Sequence, residues 1–147
     1  MKKSNMAMGI ICTLNIILFI YAASAKLLDF YNFQFSLSES PFIAPFAGIL
    51  AWAVPAIELI IAVMLVIPGL RLAGLYASFI LMSLFTVYIT AMLLFTSDIP
   101  CSCGGVLEEM SWGTHILFNC VFVALSAWGI YLLRKKRRML PILPALA

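Results

Sequence analysis

Four apolar runs, each long enough to cross a lipid bilayer, leave this chain little choice of fold. They cover residues 6–28, 43–67, 72–95 and 112–133, and a hydrocarbon core needs roughly 20 apolar residues per helix. The runs lack the alternation of a membrane barrel strand. A helix also satisfies its own backbone hydrogen bonds in lipid. Composition agrees: the chain is 65% hydrophobic and 10% charged, where soluble domains are about half apolar and a quarter charged. A soluble fold of this length cannot bury so much apolar surface. The expectation is an all-α membrane protein, one transmembrane domain built as a four-helix bundle, with a basic tail at residues 134–147.

Charge sets the expected orientation. Lys2 and Lys3 precede the first span, Arg71 separates the second from the third, and Arg134, Lys135, Lys136, Arg137 and Arg138 follow the fourth. An even number of spans puts all three groups on one side, so both termini are expected in the cytoplasm. The other two connections hold Asp29, Glu39, Asp98, Glu108 and Glu109, with only Lys26 nearby. They should face the periplasm or exterior of a bacterial-type plasma membrane. The basic residues sit at chain ends rather than on a folded face, which argues against nucleic acid as a partner. Met1-Lys2-Lys3, an apolar stretch and Ala22-Ala23-Ser24-Ala25 resemble a secretory signal cleaved after Ala25. The apolar run continues through Leu27 and Leu28, which favours an uncleaved span. Both alternatives orient the second span identically.

The chemistry-bearing stretch is Cys101-Ser102-Cys103-Gly104-Gly105, between the third and fourth spans. Cysteines outside the cytoplasm tend to be oxidised. A disulfide needs Cα atoms about 4.4–6.8 Å apart, which residues i and i+2 reach only through a turn at Ser102. Gly104 and Gly105 give the backbone that freedom. So small a ring is strained, and strained disulfides are the exchange-active ones. As a staple it would close little chain entropy. His115, the only histidine, opens the fourth span and is a candidate to activate a thiol; Glu108 and Glu109 oppose a thiolate. Two thiols plus His115 do not match a usual zinc site, so no metal is expected. Cys12 and Cys120 read as apolar fillers too far apart to pair.

Within the spans, polar residues fall on helical faces. Cys12, Asn15, Phe19, Ala22 and Lys26 recur at steps of three and four, a small and polar face suited to a helix interface. Lys26 has two readings, a headgroup-snorkelling cation or a functional one. Glu58 shares a face with Ala51, Pro55 and Ala62; an intramembrane carboxylate usually faces the bundle interior. Pro55 deprives the Ala51 carbonyl of its donor, so a neutral Glu58 is expected to donate to a freed carbonyl or a hydroxyl. Structural and proton-handling roles for Glu58 both stand. Ser83, Thr86, Thr90 and Ser97 form a stripe expected to glue helices together. Trp112, His115, Asn119, Phe122 and Ser126 repeat the pattern on the fourth span. Residues 29–42, with Tyr31, Phe33, Phe35 and Phe42, suit the interface and are long enough for a short surface helix over the second outer loop.

Ala25-Lys26-Leu27, Pro55-Ala56-Ile57-Glu58-Leu59 and Gly69-Leu70-Arg71 resemble the DoxX-like membrane proteins. Cys101-Ser102-Cys103-Gly104-Gly105 with Trp112-Gly113-Thr114-His115 and Asn119 narrows the resemblance to the MauE branch, the methylamine-utilisation proteins. The resemblance implies a four-helix membrane protein accompanying thioredoxin-like exported proteins, and support for maturation of methylamine dehydrogenase, a disulfide-rich periplasmic enzyme. The expected activity is thiol–disulfide exchange through Cys101 and Cys103 with a thioredoxin-like periplasmic partner, which would make the protein a thiol–disulfide oxidoreductase. His115 assists, and Glu58, Lys26, Asn119, Trp112, Gly104 and Gly105 support. By analogy with other four-helix thiol oxidoreductases, a quinone in the bundle is a candidate terminal partner. The alternatives are a non-catalytic assembly factor for an exported redox protein and a small proton-coupled transporter using Glu58.

Overall fold

The computed structural model describes residues 2–95 and 112–139, and every long element in it is a helix. In chain order these are α1 (Lys2–Leu28), α2 (Phe30–Ser38), a 3-10 turn (Ala44–Phe46), α3 (Ala47–Val66), α4 (Arg71–Phe95) and α5 (Trp112–Met139). Four stretches are apolar and long enough to span a membrane: Asn5–Leu28, Ala44–Val66, Arg71–Phe95 and Gly113–Arg138. The first three agree with the expected bounds to within one residue. The fourth runs five residues further, because α5 continues through the basic residues to Met139. Lys and Arg are good helix formers, and cations in a last turn oppose the negative end of the helix dipole.

The four long helices run alternately up and down. Lys136 near the end of α5 donates to Asn5 near the start of α1 (3.0 Å), which sets those two antiparallel. Between α3 and α4 the chain turns within four residues. Ile67, which precedes Pro68, is extended (φ −78°, ψ 115°), as the proline ring demands of its predecessor. The Leu70 amide then bonds the Ile67 carbonyl, and Arg71 Nε donates to the Leu65 carbonyl at 3.2 Å. The last turn of α3 is thereby capped from the first residue of α4.

Met8, Ile11, Phe19, Ile61, Leu65, Leu75, Met82 and Ile130 are among the core residues that join the four long helices. Two glycines allow the closest approaches. A Cβ on Gly74 would stand 3.0 Å from a Leu65 methyl and 3.2 Å from the Leu65 backbone nitrogen; one on Gly129 would meet Leu75 and Ile11 methyls at 3.0 and 3.2 Å. Small residues at crossings are how helices gain contact where lipid offers no hydrophobic drive. The outward faces are apolar: Ile17, Ile49, Trp52, Ile60, Val63, Leu84, Val87, Leu117 and Trp128 are all exposed. That surface is intelligible only against acyl chains.

Residues 29–46 form a lid at the end of the bundle opposite the basic residues. The expected short helix is present as α2, and its Phe33 and Leu37 dock on Ala47 and Ala51 of α3. Tyr31, Phe35 and Phe42 stay exposed, while Phe33 is 7% exposed; the expectation of an interfacial ring is corrected there. Phe33 turns inward because it lies one helical turn from Leu37, on the face of α2 that packs on α3. Phe42 meets Phe95 edge-on (6.3 Å), tying this lid to the end of α4. Whether α2 reaches over residues 96–111 lies outside the described residues.

Candidate functional site

Beneath α2 lies a buried ion pair. Lys26 Nζ stands 2.9 Å from Glu58 Oε1, with Lys26 6% and Glu58 0% exposed. The two reach each other because of where each helix carries them. Lys26 sits on the last turn of α1, and its stem folds back so that Nζ also donates to the Ala22 carbonyl (3.3 Å). Glu58 occupies the buried stripe of α3 with Ala51, Pro55 and Ala62, whose small side chains leave room for a long one from α1. Rings of Phe33 and Phe85 each lie 5.9 Å from Nζ, within cation–π range.

Two expectations are corrected here. Lys26 does not snorkel to the surface, because a carboxylate, a carbonyl and two ring faces receive it inside. Glu58 accepts a hydrogen bond from an ammonium rather than donating to a carbonyl or hydroxyl. Its second oxygen, Oε2, has no hydrogen-bond partner among the described residues.

His115 and Asn119 bring α5 to the same end of the bundle. Both are 4% exposed, and the Lys26 charge acts electrostatically on His115. Asn119 Nδ2 is a buried donor without a partner among the described residues. An ion pair beside Phe85 of α4, an imidazole, an unmatched acceptor and an unmatched donor therefore collect inside the half of the bundle where α5 begins. Such a cluster can hold paired charge in a water-poor setting.

Deeper in the bundle is a second polar node that sequence reasoning recognised only in part. Asn15 Oδ1 accepts from Ser78 Oγ (2.7 Å) and Ser126 Oγ (3.2 Å), the two hydroxyls are 2.9 Å apart, and Asn15 Nδ2 donates to the Ile11 carbonyl. Asn15 and Ser126 lie on the predicted faces; Ser78 was missed. The available signal was its position four residues after Gly74, a small-residue pair at one-turn spacing. The stripe chosen instead does not join helices: Ser83, Thr86 and Thr90 donate to the carbonyls of Phe79, Met82 and Thr86 in their own helix. Ser97 lies outside the described residues.

Cys101, Cys103, Gly104 and Gly105 also lie outside the described residues, as does the side chain of Trp112, whose backbone opens α5. Cys12 and Cys120 are both free thiols, the first buried and the second exposed. Cys12 donates to the Met8 sulfur at 3.9 Å.

No curated protein and no solved structure matches the chain. The family model of the methylamine utilisation protein MauE matches residues 4–132, a stretch that takes in the first three spans, most of the fourth, and Lys26, Glu58, His115 and Asn119, and the chain therefore belongs to the MauE family of membrane proteins of methylamine utilisation.

Proposed function

We propose that this protein exchanges disulfides with an exported thioredoxin-like partner through Cys101 and Cys103, and in that way supports maturation of a disulfide-rich exported enzyme such as methylamine dehydrogenase. The observation that carries the reading is the buried Lys26–Glu58 pair with His115 and Asn119. It lies within the half of the bundle where α4 ends and α5 begins, the half nearer the chain connection that bears both cysteines. The N-terminus of α5, which the cysteine connection enters, favours a thiolate over a thiol, and His115 in its first turn offers an imidazole to take up a proton. The positive-inside bias makes this end the exported one, in a bacterial-type plasma membrane.

The exchange balances without another reactant. One thiolate attacks the partner's disulfide, a mixed disulfide forms and a partner thiolate leaves. The second cysteine then attacks the mixed disulfide, releasing the partner as a dithiol and leaving Cys101–Cys103 oxidised. Two electrons and two protons pass to the partner; the reverse sequence oxidises it. No step through a quinone is proposed. The cavity at the basic end, about 210 Å³, is smaller than the roughly 300–1,000 Å³ of enclosed ligand sites and lies away from the cysteine connection.

Single serine variants at 101 and 103 test the proposal. One of them should accumulate a partner adduct that reductant dissolves. If neither traps an adduct and client maturation is intact in the double-serine variant, the protein is an assembly factor that docks clients without sulfur chemistry. If Glu58→Gln abolishes function while the double-serine variant keeps it, Glu58 carries protons for transport instead.

A further inference from the structure

The basic end of the bundle holds a cavity of about 210 Å³ between α1, α4 and α5. Its lining combines three polar side chains, Asn5, Arg71 and Lys136, with apolar Met8, Pro68 and Leu133. We propose that this cavity binds the phosphate headgroup of an anionic phospholipid from the leaflet at that end.

Charge is the first reason. Two cations from different helices line the cavity, while of the carboxylates of the described residues Asp29 and Glu39 flank α2 at the opposite end and Glu58 is already paired with Lys26. Nothing anionic among them answers Arg71 or Lys136. The second reason is preorganisation. Arg71 is held by one donor, Nε to the Leu65 carbonyl, and a guanidinium has five. Lys136 spends one donor on Asn5 Oδ1 and an ammonium has three. The remaining N–H groups suit a phosphate, which guanidinium binds in bidentate fashion. Arg71 is also the first residue of α4, so the positive end of that helix dipole adds to the field.

Depth and size choose a lipid over a free anion. Arg71 opens its span and Lys136 lies two residues from the end of its own, which is headgroup level. The cavity is too small to enclose a whole drug-sized ligand, so a headgroup enters while its chains stay in the bilayer. Met6 and Leu70, the chain neighbours of Asn5 and Arg71, expose apolar surface for those chains. Basic pockets between membrane helices are a recurrent form of headgroup site.

Native mass spectrometry of the purified full-length protein in neutral detergent is the test. With added phosphatidylglycerol, one lipid per chain should be retained, phosphatidylcholine about tenfold less, and millimolar inorganic phosphate should not displace it. Arg71→Gln with Lys136→Gln should weaken retention about tenfold or more. Arg137→Gln with Arg138→Gln, the same charge change on residues that do not line the cavity, should weaken it less than about twofold. Because Arg71 also caps α3, Asn5→Asp serves as a second variant. It removes no cation but gives Lys136 an internal carboxylate, and it should lower retention while the unfolding midpoint is unchanged. Equal loss in both paired variants, or equal retention of the two lipids, would mean surface attraction and overturn the proposal. Displacement by inorganic phosphate would make this a free-anion site and overturn it too.

Discussion

Removing Lys26 alone should be more damaging than removing it together with Glu58. At 2.9 Å and an effective dielectric constant of about 20, the pair's attraction is about 6 kcal/mol. Desolvating the two ions costs several kcal/mol each, so the intact pair adds little net stability. Breaking it is different, because one buried charge is then left without compensation, at about 3–5 kcal/mol. The two single variants are not equivalent. Lys26→Met strands a carboxylate whose other oxygen already lacks a partner. Glu58→Leu leaves an ammonium that keeps the Ala22 carbonyl and two ring faces, contacts of about 0.5–2 kcal/mol per ring. Lys26→Met should therefore lose about 3–5 kcal/mol and Glu58→Leu about 1–2 kcal/mol less, while the double replacement returns to within about 1 kcal/mol of the parent. Reversible unfolding in mixed detergent–dodecyl sulfate micelles, followed through Trp52, Trp112 and Trp128, measures all four corners of the cycle. Additive losses would show that the charges do not compensate one another, and the argument for a built ion pair would fail.

Gly74→Ala should destabilise by about 1–3 kcal/mol, since the new methyl meets a backbone atom of Leu65 that cannot yield; Gly129→Ala, facing only side-chain methyls, should lose less in the same unfolding assay. Asn15→Leu removes the acceptor shared by Ser78 and Ser126, with an expected loss of about 1–2 kcal/mol. Ser78→Ala should then cost less in that background than in the parent, because only its bond to Ser126 is left to lose, and additive losses would disprove the shared node. A membrane-soluble maleimide should label Cys120 on the bundle surface and spare Cys12 in the native protein, with both reacting after denaturation; early labelling of Cys12 would contradict its packing against Met8.

The polar content of this bundle divides into three levels along its axis. Arg71, Lys136 and Asn5 line the cavity at one end, Asn15, Ser78 and Ser126 lock helices further in, and Lys26, Glu58, His115 and Asn119 gather beneath α2. Only the last level stands in the half of the bundle nearer the connection bearing the two cysteines. The helix-locking node spends its donors and acceptors on itself, whereas the upper cluster keeps an acceptor on Glu58 and a donor on Asn119 unmatched among the described residues.

Sequence alone determined the number of spans and several of the faces they bury, because a bilayer penalises any other placement of apolar runs and of lone polar residues. Cys12, Asn15, Phe19, Ala22 and Lys26 were identifiable as one face, and so were His115, Asn119 and Ser126, since helical periodicity is a local property. Tertiary structure decided which faces meet. That Lys26 answers Glu58 across 32 positions, and that Ser78 joins Asn15 while the Thr86 stripe bonds its own backbone, depends on helix rotation and close approach at Gly74 and Gly129. Those are settled by packing between distant segments, where one residue's periodicity carries no information about its partner's.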